Sequence, residues 1–266
     1  MAAATIGILG ASRFGIAALQ DRAIDVVTTP YGDLPYETGT LAGISVIWIR
    51  RFGWSDNRPS HLVNHRAHIS ALSLLGVRRA FTLNGFGGVN DELQVGDIVV
   101  PHDYIKFLHR EPPSILEGAG WARVDLGASV GGPYCPDIRQ ALIAAAEQRS
   151  QRTLWRRAVN VCVQGPHLET EAEIEAVRRL GADIISTTIY PELVYARELG
   201  ICFASICWIS NLAGRESTGR WNAPGDDELT AILARAVELI PAEPQTCQCQ
   251  ASRANHASAS RAPTRA

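Results

Sequence analysis

Val159-Asn-Val-Cys-Val163, Thr170 to Leu180, Asp183-Ile-Ile-Ser186, Glu192 to Leu199 and Ile201-Cys-Phe-Ala-Ser-Ile-Cys-Trp-Ile209 follow one another with only short spacers. The first, third and fifth are apolar, β-branched runs of the kind that fill buried strands. The second places Glu171, Glu173 and Glu175 early and Arg178 and Arg179 late, the order a helix dipole favours, and Gly181 stops it. Strand, helix, strand, helix, strand predicts a sheet covered by helices on both faces. In such sheets ligands collect at the carboxyl ends of strands.

Outward from this stretch the alternation continues. Thr5-Ile-Gly-Ile-Leu9, Gly43 to Arg50, Arg79 to Leu83 and Asp97 to Pro101 read as strands. Asn64 to Leu75, Asp137 to Gln148 and Asp226 to Ile240 read as helices. The expectation is one α/β domain over residues 1–242, a twisted mixed β-sheet flanked by helices. After Pro241 the apolar periodicity stops, so 243–266 is expected to be a disordered tail. The 266 residues are 46% hydrophobic and 20% charged with a net charge of −2. No basic block points to nucleic acid or a membrane surface, and no run of 18 apolar residues suggests a membrane span. The Met1-Ala-Ala-Ala-Thr-Ile-Gly start does not read as a signal peptide. The six cysteines, Cys135, Cys162, Cys202, Cys207, Cys247 and Cys249, show no metal-ligand spacing with histidines. They suit reduced thiols in the cytoplasm, with Cys247 and Cys249 read as incidental tail thiols.

Small and polar residues gather where the strands end. Gly7-Ile-Leu-Gly-Ala-Ser12 offers backbone N–H groups and a hydroxyl, either an anion cradle or a structural turn. Arg50-Arg51 follows a hydrophobic strand, where an arginine binds an oxyanion in a cleft or sits on the surface. Asn84-Gly85-Phe86-Gly87-Gly88 reads as a glycine turn, either one that lets a ligand approach the backbone closely or a tight turn with no ligand. Gln164-Gly-Pro-His-Leu168-Glu169 joins a strand to a helix. Glu169 there is a helix-start residue or an acceptor for a heterocyclic N–H. Ser186-Thr187-Thr188 supplies hydroxyls for phosphate or sugar, and Asn211, which follows Ser210, offers a donor and an acceptor to one planar ligand.

The ordered set resembles the trimeric purine nucleoside phosphorylase and methylthioadenosine phosphorylase family over residues 5 to 240. Pro59-Ser-His-Leu-Val-Asn-His-Arg-Ala-His-Ile69, Asn84-Gly-Phe-Gly-Gly-Val-Asn90, Val95-Gly-Asp-Ile98, Pro133-Tyr-Cys-Pro-Asp-Ile-Arg139 and Gly165-Pro-His-Leu-Glu-Thr-Glu-Ala-Glu173 carry the likeness. It implies phosphate-dependent cleavage of the N-glycosidic bond of a purine nucleoside, giving free base and a ribose 1-phosphate or a 5′-modified relative. It implies no metal or organic cofactor, with inorganic phosphate as co-substrate, and a homotrimer. By the same resemblance Asn211 is the catalytic residue at N7 and O6 of the base, and Glu169 accepts from N1–H. Leu168 replaces an aromatic wall of the base pocket. Ser12, Arg51, Gly85 and Thr188 hold phosphate, and Thr187 faces the ribose. Asn211 with Glu169 favours a 6-oxopurine over adenine.

The departures from the family pattern cluster on phosphate and sugar. Phe52 and Gly53 stand where a histidine is usual, and bulky Phe86 stands where a small residue is usual. They keep two alternatives open: a nucleosidase using water, and a non-catalytic nucleoside-binding homologue.

Overall fold

The computed structural model describes residues 5–10, 18–55, 58–107, 111–116, 124–127, 131–214 and 225–250. The sheet is organised around β5 (Arg79–Gly88), ten residues with nine buried. β1 (Ile6–Gly10) flanks its first half in parallel, and β11 (Cys202–Leu212) pairs with it in parallel along its whole length. β10 (Ile184–Ser186) pairs antiparallel with Gly87 and Gly88 at its far end. From β1 the sheet runs outward through β4 (Ile44–Arg50) to a hairpin of β2 (Gln20–Thr29) and β3 (Gly32–Leu41). From β10 it runs through β9 (Val159–Cys162) to β7 (Asp103–Lys106), while β6 (Ile98–Val99) pairs with β11 and β8 (Leu154–Trp155). The helices are α1 (His65–Leu74), α2 (Pro136–Arg149), α3 (Glu171–Arg179), α4 (Ile189–Glu198) and α5 (Asp226–Leu239). The predicted mixed α/β architecture is therefore the one observed.

Local chemistry explains the element ends. Asn64 caps α1, its side chain accepting from the Ala67 N–H. Thr170 and Glu173 form a reciprocal capping box at the start of α3. Pro136 opens α2 at its first turn, where a missing N–H costs nothing.

Three expectations need correction. The glycine run 85–88 is not a turn: it continues β5. Its glycines are demanded by close packing, since a Cβ on Gly85 would lie 2.9 Å from the Trp208 ring and one on Gly87 2.8 Å from Ile185. The β2–β3 hairpin was not foreseen. All but two residues of β2 are exposed, so burial left no alternation to read. Ladder pairing and an ion pair hold it instead: Arg22 Nη2 lies 2.6 Å from the buried carboxylate of Glu37 on β3, which Arg50 of β4 also contacts. Finally, the tail is ordered through 250. The Asp137 carboxylate accepts from the Gln245 and Thr246 N–H groups at 2.8 and 3.0 Å, and Cys249 is 0% exposed. Residues 251–266 lie outside the described residues.

Asp137→Ala removes these acceptors while leaving the apolar body intact. It should lower stability by about 1–3 kcal/mol and open the 243–250 segment to limited proteolysis ahead of global unfolding. Unchanged cleavage kinetics would contradict this docking.

Candidate active site

The carboxyl ends of β5, β9, β10 and β11 converge on one cavity of about 550 Å³, a size that suits a small organic ligand. β5 contributes Asn84, Gly85, Phe86 and Gly87. The segment after β9 contributes Gly165 to Glu169, β10 and its following turn contribute Ile185 to Thr188, and β11 contributes Trp208, Ser210 and Asn211. Of the residues singled out in the sequence, Glu169, Leu168, Asn211, Gly85, Thr187 and Thr188 all line this space. Ser12 lies outside the described residues, as does 215–224.

β11 delivers two polar side chains by breaking its own alternation. Ile209 pairs with Phe86 and Asn211 with Gly87, so Ser210 is an extra residue in the ladder. In a regular strand Ser210 and Asn211 would face opposite sides of the sheet. At this bulge both line the cavity. Ser210 Oγ lies 2.9 Å from Asn211 Oδ1 and 3.1 Å from the Phe86 carbonyl, and its single proton serves one of them at a time. Neither Ser210 nor Trp208 stands out as a site residue in the sequence, yet the Trp208 indole lies over Gly85 and forms part of the wall. The signal that was available for Ser210 is a hydroxyl next to an amide at the end of a long buried strand.

The loop carrying Glu169 leaves β9 through Gly165, whose φ of +66° is a left-handed conformation, and a Cβ there would meet Ser60 Oγ at 2.7 Å. Leu168 is 62% exposed at the mouth. Burial raises the Glu169 pKa above the ordinary carboxylate value, and Glu173 adds to the rise while His167 opposes it. Thr188 is the N-cap of α4, and its side chain makes no capping bond. Its hydroxyl is therefore not committed to the helix end.

Arg51 is placed differently from the expectation of a cleft-facing cation. It is 0% exposed and does not line the cavity. Its Nε and Nη2 each lie 2.8 Å from the Glu192 carboxylate, Nη1 donates to Asn84 Oδ1, and Nη2 also donates to Thr82 Oγ1. Asn84 does line the cavity, so Arg51 stands one residue behind the wall. His65 Nδ1 approaches Glu192 at 3.0 Å and His68 at 3.9 Å. Burial alone would raise the Glu192 pKa. The Arg51 charge and the contacts with His65, His68 and Arg51 outweigh it and hold this carboxyl well below the usual range. Burial pushes His68 down, toward the neutral form. Among the described residues no lysine or arginine lines the cavity.

With this geometry established, known proteins supply a context. Residues 5–241 match the Phosphorylase superfamily. The chain is 35% identical over 253 residues to a protein of Methanopyrus kandleri named probable S-methyl-5′-thioinosine phosphorylase, covering 92% of this chain and 95% of the relative. It is 32% identical over 260 residues to the 6-oxopurine nucleoside phosphorylase of Pyrococcus furiosus, covering 92% and 96%. Among solved structures, a methylthioadenosine phosphorylase from an antarctic soil metagenomic library superposes with a TM-score of 0.85 at 26% identity, covering 95% of this chain and 91% of that one.

Glu192→Ala would leave the Arg51 charge buried without its carboxylate, a loss of about 3–5 kcal/mol that a shifted urea midpoint would register. The pH dependence has a defined sign. A depressed carboxyl pKa contributes stability that is present above the unfolded value and is lost as pH falls through the lower folded value. Glu192→Gln should flatten that acid limb of the stability profile; a limb identical to that of the unsubstituted protein would contradict the assignment.

Proposed function

The chain belongs to the phosphorylase superfamily, and we propose that it cleaves the N-glycosidic bond of a 6-oxopurine nucleoside using inorganic phosphate as acceptor. The observation that carries this reading is the opening of Glu169 and Asn211, from separate strand ends, onto one cavity. A carboxylate that accepts from N1–H and an amide that meets N7 and O6 together recognise a 6-oxopurine. Adenine has no N1–H and would leave Glu169 unpaired, a mismatch that disfavours it strongly.

In the reaction the C1′–N9 bond breaks as a phosphate oxygen bonds to C1′. The bonding electron pair departs with the base, and the sugar passes through an oxocarbenium-like state. No side chain needs to act as nucleophile. Asn211 stabilises the charge growing on the base at N7 and O6. In this reading Thr188 and the backbone at Gly85 orient phosphate beneath the sugar and Thr187 faces the ribose; all three line the cavity. Ser12 belongs to the same reading, as a further phosphate ligand. Arg51 enters it as a positioning residue that fixes Asn84 and, through Glu192, the start of α4. The same reading includes a cytoplasmic homotrimer, for which light scattering should give three times the 28.8 kDa chain mass; a monomeric mass would exclude the trimer.

A second reading has its own observation. Arg51 is saturated by protein groups, and Phe52 and Phe86 line the cavity, which weakens the case for a strong phosphate site and favours water as the acceptor. Inosine cleavage with and without phosphate separates the two. Phosphorolysis predicts ribose 1-phosphate and a rate that vanishes without phosphate, whereas phosphate-independent release of hypoxanthine would establish the nucleosidase.

Two substitutions test the base assignment. Asn211→Asp should cost inosine cleavage about 10²–10³-fold in kcat/KM and move the base preference toward 6-aminopurines; an unaltered preference would remove Asn211 from the site. Glu169 must be ionised to accept from N1–H, and its pKa is raised, so kcat/KM should fall on acidification at a higher pH than an ordinary glutamate would give. Glu169→Gln should abolish that limb, and its survival in the variant would assign it to another group.

A further inference from the structure

Cys135, Cys202, Cys247 and Cys249 lie far apart in the chain, yet their sulfur atoms all fall within 4.8 Å of one another, and the Cys202–Cys247 edge is 3.5 Å. Cys135 is the N-cap residue of α2, Cys202 begins β11, and Cys247 and Cys249 arrive on the C-terminal segment that Asp137 holds. All four are free cysteines, and all but the half-buried Cys247 are buried. We propose that these four residues form a tetrahedral thiolate site for one zinc ion, which fastens the C-terminal segment to the body of the domain.

Three observations support it. The first is shape. Zinc–sulfur bonds of about 2.3 Å put tetrahedral sulfurs about 3.8 Å apart, the scale of this cluster. Four soft sulfur donors without a carboxylate or imidazole are a zinc set by ligand chemistry.

The second is charge. Two buried arginines donate to the cluster: Arg79 Nη1 to Cys202 Sγ at 3.4 Å, and Arg197 Nη1 to Cys249 Sγ. They are 1% and 2% exposed. Their other hydrogen bonds go to neutral backbone carbonyls, of Ala242 and Asp125 respectively, and among the described residues neither has a carboxylate at ion-pair distance. Buried charges need counter-charges. Four neutral thiols, or two disulfides, would supply none. Four thiolates around a divalent ion carry two negative charges, which matches the two guanidinium groups.

The third is position. β11 runs from Cys202 at the cluster to Asn211 at the cavity, nine residues, or about 30 Å of strand. The site therefore holds structure at the opposite end of the sheet from the cavity, and it stands independently of the proposed reaction. It replaces the expectation that Cys247 and Cys249 are incidental and that no metal is bound.

The test uses the full chain, purified under reducing conditions without added metal. Elemental analysis should find about one zinc per chain. After stripping with chelator, Co(II) added alone should produce the thiolate-to-cobalt charge-transfer and strong visible bands of a tetrahedral four-sulfur site, and zinc should displace them. Cys247→Ser/Cys249→Ser should lose both the metal and the cobalt spectrum, and its melting temperature should become insensitive to chelator. If that variant fails to fold, the cobalt titration of the unsubstituted chain still decides. Four free thiols with neither zinc nor a cobalt spectrum would overturn the proposal. So would a mass four hydrogens lighter, marking two disulfides in a metal-free chain.

Discussion

The buried pairing of Arg51 with Glu192 is the constraint around which the cavity is built. The two residues come from the end of β4 and the first turns of α4, 141 positions apart. Two charges taken from water are tolerable only when each is paired and its remaining hydrogen-bonding positions are filled. Thr82 and Asn84 of β5 fill them on one side and His65 of α1 on the other. One guanidinium–carboxylate pair thus fixes two strands and two helices relative to one another. Loosening it would move Asn84 in the cavity wall and Thr188 at the head of α4 together.

On that frame the cavity is shaped by two departures from regular strand geometry. Glycines at 85, 87 and 88 let Trp208, Ile185 and Leu212 pack directly on the β5 backbone, so the wall approaches where side chains would otherwise stand. The extra residue at Ser210 then turns two consecutive polar side chains of β11 inward. Both devices reduce local regularity where a ligand needs access, and the surrounding buried strands supply the rigidity that keeps them in place.

The strand–helix alternation was legible because every one of those elements has a buried face, and burial leaves a period in the sequence. The hairpin of β2 and β3 was not, because all of β2 but Val27 and Thr29 is exposed and Pro35 interrupts the partner. The site residues were legible as types at strand ends; Glu169, Thr187, Thr188 and Asn211 all reached one cavity. Arg51 shows the limit of that reasoning. Its position after β4 was read correctly, but whether a guanidinium faces a cleft or a buried carboxylate depends on Glu192, which local sequence does not reveal. The cysteines show the same limit more strongly: 135, 202, 247 and 249 have no common spacing, and only the crossing of α2, β11 and the C-terminal segment makes them neighbours.

The two ends of β11 divide the chemistry of the domain. At the Asn211 end the Thr188 side chain makes no helix-capping bond, and Glu169 is held in a setting that disfavours its own charge. Such groups cost stability and are kept where a ligand completes them. At Cys202 the converse holds. Two buried guanidinium groups converge on sulfur, and the balance is restored only by negative charge on the cluster. Stability lost at the ligand-facing end is thus offset at the far end of the same strand, where Asp137 and the cysteines clamp the C-terminal segment across the edge of α2. A clamp there strengthens the base of β11 and β5 without touching the cavity, so the site can retain unsatisfied polar groups while the sheet that aims them stays rigid.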